Sequence, residues 1–410
     1  MTRALYICYF GLREPLVQSQ VLPYLREISR SGVDMSLLTF EPDARRAWDE
    51  KTLVEWGDRL RGDGIKWHSL AYHQRPSLPA TVYDVLAGAQ YVMRLVETHG
   101  INVLHARSHI PLAIALLARA WTKGRLVFDF RGLMAEEYAD AGVWREGSPK
   151  FIAIKRLERL GFRQADQIIV LTERMREWLI KNGLASAERI EVIPCCVDLP
   201  RFMAGEGDQT LPAADRFEVV YAGSVTGLYL LEEMGRFFLV LRDRVPRAFF
   251  RVMTNSSAEK TVARLSGMGL STADFTVTAA LPAEVPAYLR RARLGISFRK
   301  SSFSQIAASP TKVPEYLAAG LPVVCNAGIG DMDNLLERSG VGVVVRRFDS
   351  EAYSKAVEAA ITLAEDPQLR SRCEQVVREH FDMTGRGGEG YRRVYRRLGE
   401  KIVKAGAKVA

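Results

Sequence analysis

The chain has 410 residues, 48% hydrophobic and 26% charged, which suits two soluble globular domains and excludes a chain disordered throughout. Its 57 lysines and arginines outnumber its 48 acidic residues, for a net charge of +9. That balance favours an anionic partner: a phosphorylated substrate, an anionic lipid surface or nucleic acid.

The chain enters a strand-like run, ALYICYF, at once, with no separate apolar leader and cleavage site. The most apolar run, IPLAIALLARAW, is interrupted by Arg119 and falls short of a membrane span. Both point to a cytoplasmic protein. The five cysteines (Cys8, Cys195, Cys196, Cys325 and Cys373) lack metal-ligand spacing and read as buried thiols.

Strand-like and helix-like segments then alternate. ALYICYF ends at Gly11, and QVLPYLREISRSG is an amphipathic helix closed by Gly32. VDMSLLTF and INVLHA are strand-like, IPLAIALLARAW is a buried helix, and RLVFDF is a strand ending in Arg131-Gly132. ADQIIVLT, ERMREWLIKNG and RIEVIPC give a strand, a helix and a strand. The segment 196–217 has prolines, glycines and few periodic apolar residues, and reads as a linker. The alternation resumes with EVVYAGS and continues through LGISFRK to SPTKVPEYLAAGLPVV. Such alternation predicts parallel strands, hence an α/β fold of two Rossmann-like, doubly wound domains. The expected boundaries are 1–195, a linker at 196–217, and 218–383. A basic amphipathic helix at 384–410 is expected to pack back on the first domain.

Ligands of doubly wound sheets bind at the carboxyl ends of the strands, so the loops there carry the candidate residues. In SPTKVPEYLAAG, Thr311 is placed to cap a short helix whose free N–H groups suit an anion. Lys312 adds a full charge there, and Glu315 can accept from sugar or ribose hydroxyls. Gly223 and Ser224 follow EVVYA, Arg299 and Lys300 end LGISFRK, and Gly328 and Gly330 form a tight loop in NAGIGDMD. On the first domain, Gly11, Gln18 and Ser19 follow the first strand. Asp129, at the end of RLVFDF, and Arg131, Glu136 and Glu137 in the loop after it can line an acceptor side. Asp331 and Asp333 alone are weak evidence for a metal, and none is expected.

SPTKVPEYLAAGLPVVCNAGIGDMDNLLE resembles the donor-nucleotide segment of GT-B glycosyltransferases of family GT4. EPLVQSQVLPYLRE, LHARSHIPLAIALLAR, ADQIIVLTERMREWL, IEVIPCCVDLPRF and VYAGSV agree with that family in order, over nearly the whole chain. The resemblance implies two domains facing across a cleft. It also implies transfer, with retention of configuration, from a nucleotide-diphosphate sugar to an acceptor hydroxyl in polysaccharide, glycolipid or glycoconjugate assembly. It implies a ribose contact for Glu315, and donor contacts for Ser309 and Thr311. Arg299, Lys300 and Lys312 stand in for diphosphate-binding cations absent from the AGSVTGLYL loop. Arg107 and His109 in HARSHIP occupy a stretch that lies near the donor sugar in the family, and a glutamate expected upstream of Glu315 is replaced by Ala307. The same fold hosts sugar-nucleotide epimerases, and Ala307 also suits a non-catalytic partner of another transferase.

Two basic segments predict attraction to an anionic membrane at its inner face. One is the tail, with eight cations against two acids from Thr384 onward. The other is SPKFIAIKRLERLGFRQ, which places Lys155, Arg156, Arg159 and Arg163 on one helix face and Ile154, Leu157 and Leu160 opposite. No nucleic-acid partner is expected.

Overall fold

The computed structural model describes residues 1–42, 48–203 and 216–406, so most of the expected linker (204–215) and the last residues of the basic tail lie outside the described residues. The chain divides into two units, the first comprising 1–135, 146–193 and 387–410, and the second 136–145 and 194–386. The tail therefore joins the first unit, while 136–145 joins the second.

The first unit is built on seven parallel strands: β1 (Arg3–Cys8), β2 (Asp34–Glu41), β3 (Ile65–Ala71), β4 (Val103–Arg107), β5 (Arg125–Asp129), β6 (Gln167–Val170) and β7 (Ile190–Val192). Their order is β3-β2-β1-β4-β5-β6-β7, so the winding reverses between β1 and β4. β4 is buried along its whole length, as a strand covered on both faces must be. Parallel strands need crossovers, and helices supply them: Ser77–His99 joins β3 to β4, and His109–Arg119 joins β4 to β5. β3 and the two helices around it, Glu50–Gly62 and Ser77–His99, occupy a stretch the sequence patterning leaves unassigned. At an edge β3 is covered incompletely, and its mixed composition (IKWHSLA) hides the strand.

The second unit has six parallel strands: β8 (Phe217–Ala222), β9 (Ala248–Met253), β10 (Phe275–Thr278), β11 (Leu294–Ser297), β12 (Val323–Asn326) and β13 (Gly342–Val345), in the order β10-β9-β8-β11-β12-β13. The winding reverses between β8 and β11. Adjacent residues of one strand enter different cores: Val220 and Val323 pack with Tyr316 and Leu317, whereas Val219 and Val324 pack with Phe237, Phe238 and Phe250. This period of two follows from the pleat. Gly295 in β11 lies under the Tyr316 ring, where an added Cβ would sit 2.4 Å from a ring carbon. The Tyr316 hydroxyl accepts from the Ala222 N–H at 2.8 Å, so this fully buried tyrosine fixes the end of β8.

The tail forms the Gly388–Gly406 helix. Tyr391, Val394, Tyr395 and Leu398 are buried within the first unit, as the i, i+3, i+4, i+7 spacing requires. Its basic face is partly used in docking. Arg392 pairs with Glu27 at 3.2 Å, while Arg393 and Arg397 pair with Glu191 at 2.7 and 3.0 Å. Three of the tail's basic side chains are therefore engaged within the first unit.

Candidate functional site

A doubly wound sheet places its ligands at the carboxyl ends of the strands where the winding reverses. In the second unit these are the ends of β8 and β11. The loop leaving β8 returns as a short extended segment. Tyr229 bridges Arg299 in antiparallel fashion, Leu230 N–H donates to Phe298 O at 3.1 Å, and Lys300 N–H donates to Leu228 O at 2.8 Å. Asn326, at the end of β12, accepts from the Arg299 N–H at 2.7 Å and donates to Ser301 Oγ at 3.0 Å. The backbone around Arg299 is thus held from both sides.

Lys312 begins the Lys312–Ala318 helix and is 5% exposed, not solvated. Its Nζ donates to Tyr221 Oη at 3.2 Å and lies 4.4 Å from the ring centre of Tyr221 and 3.8 Å from that of Tyr229. Arg299 Cζ lies 4.9 Å from the Tyr229 ring centre. Two cations therefore share one aromatic ring, whose negative face offsets part of their repulsion. Among the described residues neither cation has an ion-pair partner, and Arg299 Nε is buried without a hydrogen bond. Such donors are prepared for an anion.

Burial lowers Lys312 to about 8, with Tyr229 opposing the shift and Arg299 reinforcing it. Burial likewise raises the partly exposed Glu315 to about 7, against the pull of Arg201 and Lys312. Lys312 in turn pulls the Tyr229 phenol below the ordinary tyrosine value. Gly223, at φ +136°, leaves room for the lysine: an added Cβ would stand 3.0 Å from Lys312 Nζ.

Beside Gly223 and Ser224 opens a cavity of about 430 Å³, lined also by Thr254, Asn255, Ser256 and Val285. It sits at the ends of β8 and β9, with small polar groups on one wall. Ser224 Oγ accepts from Thr226 N–H at 3.3 Å. Across the unit, Gly328 N–H donates to the Asp333 carboxylate at 2.8 Å, and Gly330 N–H donates to Gln305 O at 2.8 Å. Asp333 thus shapes the glycine loop.

Other expected donor-side residues are used within the fold. Ser309 is buried, and its Oγ accepts from Cys195 N–H at 3.1 Å. Thr311 occupies the N-cap position without a side-chain capping bond. Lys300 is exposed, and its Nζ donates to Asp140 O at 2.9 Å. Ala307 is 1% exposed, next to buried Ser304 and Gln305.

In the first unit, the ends of β4 and β5 hold a buried polar cluster. Asp129 accepts from the hydroxyls of Tyr6 and Tyr391, each at 3.2 Å, and from Arg131 at 3.4 Å. Arg107 Nη1 stands 3.7 Å from it and makes no hydrogen bond among the described residues. Burial alone would raise the Asp129 carboxyl, but Arg131, His105 and Arg107 hold it well below the usual range.

His109 departs from expectation. It is fully buried, with Nε2 3.2 Å from Glu158 and Nδ1 3.3 Å from Ser108 Oγ, so both ring nitrogens serve the fold instead of facing a sugar. Gly11 is also turned to packing. A Cβ there would meet Pro42 at 2.7 Å and Glu41 at 2.9 Å, so the end of β2, not a ligand, requires the glycine. Gln18 donates to Leu12 O and Ser19 to Pro15 O, both local turn bonds. Glu136 falls in the segment that joins the second unit.

Sequence reasoning overlooks Tyr229, Asn326 and the wall of Thr254, Asn255 and Ser256. Asn326 ends β12 and Thr254 to Ser256 follow directly on β9, which is the available signal, whereas Tyr229 lies seven residues beyond the end of β8. The loop AGSVTGLYL contributes an aromatic ring where cations are expected.

Residues 17–196 match the family model of the glycosyl transferase 4-like domain. No curated protein matches the chain. Among solved structures, sucrose-phosphate synthase from Thermosynechococcus elongatus is similar at 16% identity and a TM-score of 0.70, over 97% of this chain and 100% of that one. A glycosyltransferase from Rickettsia africae is similar at 13% identity and a TM-score of 0.69, over 98% and 99% of the two chains. Alr3699/HepE of Anabaena, in complex with UDP-glucose, is similar at 15% identity and a TM-score of 0.68, over 98% and 100%. At these identities the shared property is the fold.

Proposed function

We propose that this chain, a GT4-like glycosyltransferase of the GT-B fold, moves a sugar from a nucleotide-diphosphate donor to an acceptor hydroxyl with retention of configuration. The observation that carries the reading is the pair Lys312 and Arg299 on Tyr229, two cations at the reversal of winding that have no ion-pair partner among the described residues. A diphosphate supplies that charge. Glu315 takes the ribose hydroxyls, and the adjoining cavity, with Thr254, Asn255 and Ser256, takes the base. UDP-glucose in HepE makes a uridine nucleotide the first donor to try.

In the proposed step the bond from the anomeric carbon to the phosphate oxygen breaks while the acceptor oxygen bonds to the same face. The acceptor proton passes to the departing phosphate oxygen. Lys312 and Arg299 stabilise the charge that develops there, an electrostatic contribution available without reorganisation. The leaving group is neutralised by these side chains, with no metal in the proposal. The first unit is proposed to hold the acceptor, a glycan or lipid-linked glycan, with Arg131 among its contacts.

The test is a thermal-shift and calorimetric screen of UDP-, GDP-, ADP- and dTDP-sugars, followed by product analysis by NMR with candidate acceptors. Binding of one donor and a product of unchanged anomeric configuration are expected. Failure of every donor to bind removes the reading. Ala307 favours a second reading, a non-catalytic nucleotide-sugar-binding partner, which predicts binding without turnover in the presence of the right acceptor.

A further inference from the structure

The Pro149–Gln164 helix of the first unit bears an outer face that sugar transfer does not use. Ile152 and Leu160 are 40% and 42% exposed on it, beside exposed Arg156, Arg159 and Arg163. At 3.6 residues per turn these five side chains fall within about 100° of arc. Leu160 therefore belongs to the arginine face and not, as its spacing with Ile154 and Leu157 suggests, to the packed one. Lys155 leaves that face to pair with Glu158.

Every exposed charge on this helix is positive. Its one acid, Glu158, is 1% exposed and is held by Lys155 and His109. Among the described residues no carboxylate pairs with Arg156, Arg159 or Arg163. The neighbouring His109–Arg119 helix ends alongside: Arg119 donates to Gln164 O at 2.6 Å and pairs with Asp166 at 3.0 Å. Just beyond it, Trp121 is 83% exposed and Lys123 is exposed.

We propose that this face, formed by Arg156, Arg159, Arg163, Ile152 and Leu160, with exposed Trp121 just past the end of the adjoining helix, docks on an anionic lipid bilayer. A merely solvated helix carries mixed signs and keeps large apolar groups inside. Arginine with aliphatic and tryptophan side chains, free of acid, is the composition that settles at a headgroup boundary, where guanidinium groups meet lipid phosphate and the apolar groups enter just below. The tail helix is the poorer candidate, because three of its arginines are already paired. The inference is independent of the donor-site reading.

The full chain is to be sedimented with vesicles of phosphatidylcholine plus phosphatidylglycerol and with vesicles of phosphatidylcholine alone. The wild type is expected to bind the anionic vesicles, weakly the neutral ones, and less at raised salt. Replacement of Arg156, Arg159 and Arg163 together by Gln is expected to weaken binding about 100-fold, at about fivefold per cation near the surface. Arg396→Gln, on the exposed side of the tail helix, is expected to bind as the wild type does. Should the triple variant melt early, Trp121→Ser alone serves, with loss of binding expected. Wild type indifferent to anionic vesicles, or variants that bind undiminished, overturns the proposal. So does a lipid-free dimer that the triple variant abolishes, which would assign the face to a second copy.

Discussion

Lys312 places its ammonium 3.8 Å from the ring centre of Tyr229, and the same tyrosine bridges Arg299 through its backbone. One residue thus positions both cations, one through its ring and the other also through its main chain. The loop that carries it has no cation of its own, so the aromatic ring performs the gathering that a basic loop would otherwise perform.

Lys312→Met is expected to weaken donor binding by about 10- to 100-fold, the value of one or two charge-assisted hydrogen bonds. Thermal stability should hold or rise, because an unpaired buried cation is replaced by an apolar chain of similar length. Calorimetry and melting measured on one preparation check both. A fall in melting temperature alongside unchanged affinity would make Lys312 structural.

Tyr229→Phe keeps the ring and should bind donor within about threefold of the wild type, whereas Tyr229→Leu should lose about tenfold, as expected for desolvated cation–π contacts. Equal losses in the two variants would point to the hydroxyl instead. Titration of the best nucleotide from the donor screen separates the outcomes.

Donor binding should be strongest between about pH 7 and about pH 8. Below about 7 Glu315 takes a proton and accepts more weakly from ribose; above about 8 Lys312 loses one and its charge. The ligand-free protein should behave oppositely. Glu315 is raised in the fold, so stability falls as pH climbs from the ordinary glutamate value toward 7. Lys312 is lowered, so stability recovers from 8 toward the ordinary lysine value. A pH series of melting curves with and without nucleotide checks the crossing of the two trends.

Gly223→Ala should both destabilise the second unit, by about 1–3 kcal/mol for a non-glycine residue at this φ, and displace Lys312. Donor affinity and melting temperature are expected to fall together, unlike in Lys312→Met.

Tyr391→Phe removes one of the hydroxyl donors to Asp129 and should lower stability by about 1–2 kcal/mol, read as a drop in melting temperature. Deleting 387–410 strips four buried side chains at about 1.5–3 kcal/mol each, comparable to the whole stability of a domain. The first unit is expected not to fold without it, seen as loss of its cooperative melting transition.

Much of the architecture is legible in the sequence because fully buried parallel strands are unbroken apolar runs. Short IVL-rich stretches such as QIIV and VVCN, too short for a helix, suit a strand buried on both faces. β3 escapes because an edge strand tolerates Lys, His and Ser, and β13 because its glycine and valines follow a helix too closely to stand out. The candidate site is half legible. Lys312, Glu315 and Arg299 announce themselves by charge. The reason Lys312 matters, its burial against Tyr221 and Tyr229, depends on residues about 80 to 90 positions away, which local spacing cannot pair. His109 and Gly11 mislead for a related reason: Glu158 and Pro42, which claim them, lie in other elements.

The return of the last helix to the first unit bears on how the molecule is made. Domains ordinarily complete themselves in the order they leave the ribosome. Here Asp129 awaits Tyr391 and His105 awaits Tyr395, residues synthesised after the whole second unit. The second unit can therefore finish while the first stands open over its charged centre. A stop codon shortly before residue 387 would spare the later-made half and ruin the earlier one.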